Sequence, residues 1–182
     1  YVNKQIQSVL TKKYSDIREV YADYTNLTFL EDYLRTYDEV ENFRFYTDNQ
    51  ALLDNSFIVK ATWKLKTELW YDTALRLKGA PFWTIKKDSV NKKEYLSLVR
   101  SVWNTSNGRF IGVLCINLDG EVIEKQLHNQ FFDTSIVFNK RILYSNNKQM
   151  QARDRAQLLS VFEESHNLEI QTIDFMGKKT SV

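Results

Sequence analysis

The sequence predicts an α+β fold, and three observations predict it. A long stretch at the N-terminus has helical periodicity with no Gly or Pro to interrupt it. Two alternating strands near the middle are joined through an Asn-Gly turn. Strand, helix and strand patterning then returns in the last third. The expected architecture is a long N-terminal helix, an antiparallel sheet module and a smaller, truncated second module.

The helical stretch runs from Tyr1 to about Tyr33. Ile6, Leu10, Ile17, Val20, Tyr24 and Leu27 form its apolar stripe, with Asn3 and Lys13 as polar interruptions. Thr25 and Thr28 mark a kink or a break. Such a length suits either a spine that carries the rest or a helix that pairs with its own copy. Leu30, Tyr33, Leu34 and Tyr37 extend the stripe.

Val40 to Tyr46 reads as a strand, Thr47-Asp48-Asn49-Gln50 as a turn and Phe57 to Ala61 as a short extended piece. Thr67 is a candidate N-cap for a helix that carries Trp70 and Tyr71. Ala74 and Leu77 lie below Trp70 at helical spacing, while Tyr71 and Leu75 point elsewhere. Gly79 is a C-cap, Pro81 stops the helix, and Trp83 follows in an ordered loop. This aromatic stretch is either a satellite core or the wall of a pocket.

Asp88 to Lys93 is a hairpin connection, and Glu94 to Trp103 alternates as a strand. Asn107-Gly108 ends the strongest turn, and Arg109 to Leu118 is the next strand, apolar in its middle. Gly120 to about Leu127 is a short helix capped by Asp119. Ser135 to Leu143 is extended, with Asn139-Lys140 as a tight turn inside it. Gln151 to Phe162 is amphipathic and Leu168 to Phe175 is extended. Met176-Gly177 turns the chain into a final extended piece.

Composition narrows the function. The chain is 43% apolar and 26% charged, with a formal charge of +2 and no clustered basic patch, so no nucleic-acid partner is expected. The lone Cys115 lies in the apolar run Gly112-Val113-Leu114-Cys115-Ile116 and reads as a core residue. No apolar run is long enough to span a bilayer. The start at Tyr1 and the strand-like end at Val182 suggest an excised segment.

Catalytic patterns are lacking. His128 and His166 stand apart, and no phosphate loop, nucleophile elbow or dinucleotide fingerprint occurs. Neither a catalytic site, a metal nor a cofactor is expected. Asn104-Thr105-Ser106 matches the N-glycosylation pattern and marks an exposed loop. Arg100 is a charge between Leu98 and Val102, so it needs an internal carboxylate, a sheet edge or a ligand. Asp88 is either a turn cap or the far side of a ligand site.

Several of these motifs together resemble the extracellular double-Cache sensor domain of YesM-like sensor histidine kinases from Gram-positive bacteria. They are Phe45-Tyr46-Thr47-Asp48-Asn49, Trp70-Tyr71-x-x-Ala74, Gly79 followed by Trp83, Tyr95-Leu96-Ser97-Leu98-Val99-Arg100, and Ile111 to Leu118. Asp133 to Ser145 resembles the first strands of a membrane-proximal Cache module. The resemblance implies a PAS/Cache-like sheet and three regions: a helical spine over 1–37, a membrane-distal sensing module over 38–130 and a partial proximal module over 131–182. It further implies a homodimer through the N-terminal helix, with membrane segments outside this chain.

The resemblance also supplies a candidate site. Amino-acid-binding members of the broader family use a tyrosine, an arginine shortly before a Trp-Tyr pair, and an aspartate beyond the loop. Trp70 and Tyr71 match the pair, Asp88 falls close to the aspartate, and Trp63 stands near the tyrosine. Glu68 occupies the arginine position, where it would repel a carboxylate. The resemblance therefore implies a small-molecule site at Trp63, Glu68, Trp70, Tyr71, Trp83, Asp88 and Arg100, with an ordinary α-amino acid a doubtful ligand. The competing expectation is a cell-surface interaction or adhesion domain, with exposed Trp and Tyr as contact anchors.

Overall fold

A computed structural model of the chain describes residues 3–104, 106–164, 172–175 and 178–181. The chain divides into two compact units, Tyr1–Asp119 and Gly120–Val182.

The first unit begins with three helices, α1 (Lys4–Thr11), α2 (Ile17–Thr25) and α3 (Phe29–Thr36). The helical N-terminal region is thus present, divided at two places. Asp16 explains the first division. Its carboxylate accepts from the backbone N–H of Arg18 at 2.9 Å, which starts a new helix instead of continuing the old one. Lys12 and Tyr14 then tie the corner, both reaching Asp23 Oδ2, at 2.9 and 3.0 Å. The second division falls between Thr25 and Phe29, where the two threonines had marked it.

A five-stranded sheet follows, built from β1 (Val40–Thr47), β2 (Ile58–Lys60), β3 (Phe82–Lys87), β4 (Glu94–Trp103) and β5 (Phe110–Leu118). Its order is β2-β1-β5-β4-β3, with β1 and β2 parallel and the other pairs antiparallel. Two helices, α4 (Trp63–Lys66) and α5 (Leu69–Arg76), connect β2 to β3.

The pleat divides the sheet into two faces. One carries Phe43, Phe45, Ile58 and Val102, and packs against Ile6, Val9, Leu10, Val20, Leu27 and Leu30 of the helical region. Each large apolar side chain buried there contributes about 1.5–3 kcal/mol. The other face carries Tyr46, Val59, Val99, Val113 and Cys115 and packs against Trp70, Tyr71 and Ala74 of α5.

Local chemistry around α5 departs from expectation in several places. Thr67 ends α4 rather than starting α5, and the N-cap of α5 is Glu68, whose side chain makes no capping bond. Trp70 and Tyr71 are both buried, because the sheet and α4 enclose the start of α5 from two sides. Leu77, expected to seat the helix, is 41% exposed at its end. Trp83 lies in β3 and not in a loop, since Phe82 to Lys87 pairs with β4 along its whole length. The C-cap of α5 is Leu77 rather than Gly79; Lys78 and Gly79 follow it with positive φ, 47° and 98°, and turn the chain out of the helix.

The second unit contains α6 (Gly120–His128), a hairpin of β6 (Ser135–Phe138) and β7 (Arg141–Ser145), α7 (Ala152–Glu164), and a second hairpin of β8 (Thr172–Phe175) and β9 (Lys178–Ser181). Asn139 and Lys140 form the tight turn between β6 and β7, both with positive φ, as a two-residue hairpin requires. Asn146 anchors α6 to this hairpin by donating to Leu127 O at 3.0 Å and Phe132 O at 2.8 Å. The sequence features at Thr105, His166 and Met176-Gly177 lie outside the described residues. No helix among the described residues is long and apolar enough to cross a membrane.

Candidate functional site

The face beneath α5 holds the polar chemistry of the first unit. Cross-strand partners project to the same side of a sheet, so the register settles which residues meet. Arg44 pairs with Cys115, Ser97 with Asn117, and Lys86 with Tyr95. Asp88, one residue beyond β3, closes this group.

Asn117 is the hub. Its Nδ2 donates to Asn42 Oδ1 at 2.8 Å and to Asp88 Oδ2 at 3.0 Å, and its Oδ1 accepts from Ser97 Oγ at 2.7 Å. Asp88 Oδ1 accepts from the backbone N–H groups of Val90 and Asn91 at 2.9 and 3.0 Å. Arg44 Nε lies 3.4 Å from Asp88 Oδ2, an ion pair without hydrogen-bond geometry, and Arg44 Nη1 donates to Ser56 O. Arg44, Asp88, Ser97 and Asn117 are all buried. Burial pushes the Asp88 carboxyl up, but the two backbone N–H bonds and the charges of Arg44 and Lys86 outweigh it. Its pKa settles below the ordinary carboxylate value.

Lys86 stands beside this network in aromatic surroundings. Its Nζ lies 5.0 Å from the Trp70 ring centroid and 5.5 Å from that of Tyr46. It is 4% exposed and makes no hydrogen bond among the described residues. The Tyr71 hydroxyl is likewise buried without a hydrogen-bond partner, and the Tyr71 ring packs edge-on against Trp70 at 5.5 Å. Burial drives the Tyr71 and Tyr46 phenols well above their ordinary pKa, so both stay protonated. Among the described residues, Arg44, Lys86 and Asp88 together leave one positive charge uncompensated on this face. A buried cation of this kind favours an anionic group brought beside it.

Three sequence-identified residues therefore belong to one face: Trp70, Tyr71 and Asp88. The remaining four lie elsewhere. Trp63 begins α4 and is 81% exposed, and Glu68 is exposed at the N-cap of α5. Trp83 pairs with Leu98, and Arg100 with Leu114, which puts both on the side of the sheet that faces the N-terminal helices. Lys86, Arg44 and Asn117 were not singled out from sequence. Lys86 belongs to a basic pair that reads as solvated surface, yet it shares strand parity with Phe82 and Thr84. Asn117 has the parity of Val113 and Cys115, and a polar residue on that buried face was the available signal.

No protein-family model matches the sequence, and no curated protein matches it. Solved structures do match in fold. The ligand-binding domain of the Campylobacter jejuni chemoreceptor Tlp3 in complex with 4-methylisoleucine superposes with a TM-score of 0.57 at 16% identity, over 98% of this chain and 69% of that one. The sensory domain of the same receptor with isoleucine bound gives 0.57 at 16% identity, over 96% and 73%. The L-norvaline complex gives 0.58 at 16% identity, over 97% and 71%. The fold is Cache-like, the α+β arrangement of the Tlp3 ligand-binding domain.

These comparisons overturn the doubt about an ordinary α-amino acid. The Tlp3 domain, which shares this fold, is seen with isoleucine and with L-norvaline bound. The doubt rested on Glu68 repelling a carboxylate, but Glu68 is exposed at a helix start, outside the buried face. The cations of that face come from the sheet, through Arg44 and Lys86.

Proposed function

We propose that this chain is the non-enzymatic, ligand-sensing part of a membrane receptor, placed on the extracellular side. Its ligand is a small α-amino acid or a close analogue, bound beneath α5. The observation that carries this reading is Lys86, a buried cation between Trp70 and Tyr46 without a hydrogen-bond partner among the described residues. A ligand carboxylate would pair with Lys86, and the Tyr71 hydroxyl would donate to it. The carboxylate of Asp88 would attract the ligand's ammonium, while Trp70 and Val99 would flank its side chain. The Tlp3 complexes with isoleucine and L-norvaline support this ligand class.

Ligand entry would require α5 to lift from β3 and β4, because its own Trp70 and Tyr71 are buried against the sheet. Occupancy would then shift the population between two packings of the unit. The output we assign is a sensor histidine kinase of the YesM-like group. That assignment rests on the motifs around Phe45-Tyr46-Thr47-Asp48-Asn49 and Trp70-Tyr71. An adhesion role is disfavoured, since Trp70 and Tyr71 are core residues and not surface anchors.

Calorimetric titration of the chain with the twenty common amino acids tests the ligand. At least one should bind, and Lys86→Met should weaken that binding about tenfold or more, the value of a charge-assisted hydrogen bond. Absence of binding across the set, or full affinity in Lys86→Met, would remove the proposal. Phosphate transfer from ATP to a histidine of the full-length receptor tests the output.

A further inference from the structure

The opposite face of the sheet carries a cavity of about 500 Å³, lined by residues of α1, α3 and the three strands β1, β4 and β5 together with Asn3, Tyr37 and Pro81. That volume lies within the range of about 300–1,000 Å³ usual for small-molecule sites. The lining is almost wholly apolar, with Phe29, Leu34, Phe43, Leu98 and Ile116 prominent. Tyr33 and Tyr37, each 52% exposed, contribute to its edge.

Arg100 is the one charged side chain in this lining. Its Nε is shut off from solvent and makes no hydrogen bond, and Arg100 forms no ion pair among the described residues. A guanidinium in an apolar wall is stabilised by a planar anion that accepts from it. A ligand for this space must therefore be apolar over most of its surface and negative at one end.

We infer that this cavity is a second ligand site, which takes a small amphiphile with an apolar body and one carboxylate seated against Arg100. The site is separate from the Lys86 face and does not depend on the amino-acid reading. The two faces lie on opposite sides of the strands, since Arg100 pairs with Leu114 while Ser101 pairs with Val113. An occupant here touches α3 directly, so it would bias the packing of the N-terminal helices on the sheet.

Calorimetry with octanoate, below its micellar concentration, tests the site, with octan-1-ol and octylamine as neutral and cationic counterparts. Octanoate should bind at one equivalent and at least tenfold more tightly than octan-1-ol, and octylamine should not bind. An arm with 3-phenylpropanoate distinguishes an aromatic body from an alkyl one. Arg100→Gln should erase the preference for the carboxylate while octan-1-ol binds as before, and Lys86→Met should leave octanoate binding unchanged. The inference is overturned if neither carboxylate binds better than the alcohol, if the preference survives Arg100→Gln, or if Lys86→Met removes it. Should Arg100→Gln fail to fold, the carboxylate-to-alcohol ratio in the wild-type chain decides.

Discussion

Asn117 Nδ2 donates to Asp88 Oδ2 at 3.0 Å, and this bond ties the centre of the sheet to the connection between β3 and β4. The same amide holds Asn42, while its carbonyl oxygen accepts from Ser97, so one side chain links β1, β4, β5 and the Asp88 turn. Asn117→Ala would leave Asp88, Asn42 and Ser97 short of a partner in a buried setting. Each buried polar group left unsatisfied costs about 1–3 kcal/mol. We expect a loss of about 2–4 kcal/mol in urea denaturation, with the slope unchanged.

Asp88 makes stability depend on pH in a defined direction. Its folded pKa is lowered, because the backbone N–H bonds and the cations Arg44 and Lys86 outweigh the effect of burial. The folded state therefore binds the proton less readily than the unfolded state. Its contribution is complete above the ordinary carboxylate value of about 3.9 and declines as pH falls toward and through the lower folded value. Denaturation curves between pH 3 and pH 6 should show the wild-type chain losing stability toward the acid end more steeply than Asp88→Asn.

Lys86→Met should separate stability from binding. The ammonium is buried without a hydrogen bond, and its contacts with Trp70 and Tyr46 offset only part of that cost. The unliganded variant is expected to be more stable than wild type by about 1 kcal/mol, as replacement of a buried, incompletely paired charge by an apolar group commonly allows. Thermal denaturation without ligand measures this; a destabilised Lys86→Met would mean that the ammonium is already well compensated.

Gly112 admits no side chain. A Cβ there would sit 2.3 Å from Tyr46 O, a backbone atom of the paired strand β1. Relief requires the central strands to part, so Gly112→Ala should cost about 3 kcal/mol or more. A melting temperature within a degree of wild type would contradict this.

Trp63→Ala and Glu68→Gln probe two residues that the family resemblance had placed in the site. Trp63 is 81% exposed and Glu68 is exposed too, so neither change should alter stability by more than about 0.5 kcal/mol. Ligand affinity should likewise stay within twofold. A tenfold loss in either variant would return that residue to the site.

The sequence by itself determined the α+β class, the strands other than β3, most of the turns and the membership of Trp70, Tyr71 and Asp88 in one region. Those features are local. Period-two alternation marks a strand, Asn139-Lys140 marks a tight turn, and the Thr25–Thr28 segment marks a helix break. Only the tertiary structure decided which side of the sheet each residue faces relative to α5. Trp83 and Arg100 lie close in sequence to residues of the Lys86 face, yet strand parity turns both to the other side. Parity is readable within one strand, but how two strands align depends on pairing between distant segments. The same pairing brings Arg44, Lys86 and Asn117, which come from three strands, around Asp88. A lysine becomes a buried cation, and an asparagine a hub, only through what the other strands place beside them.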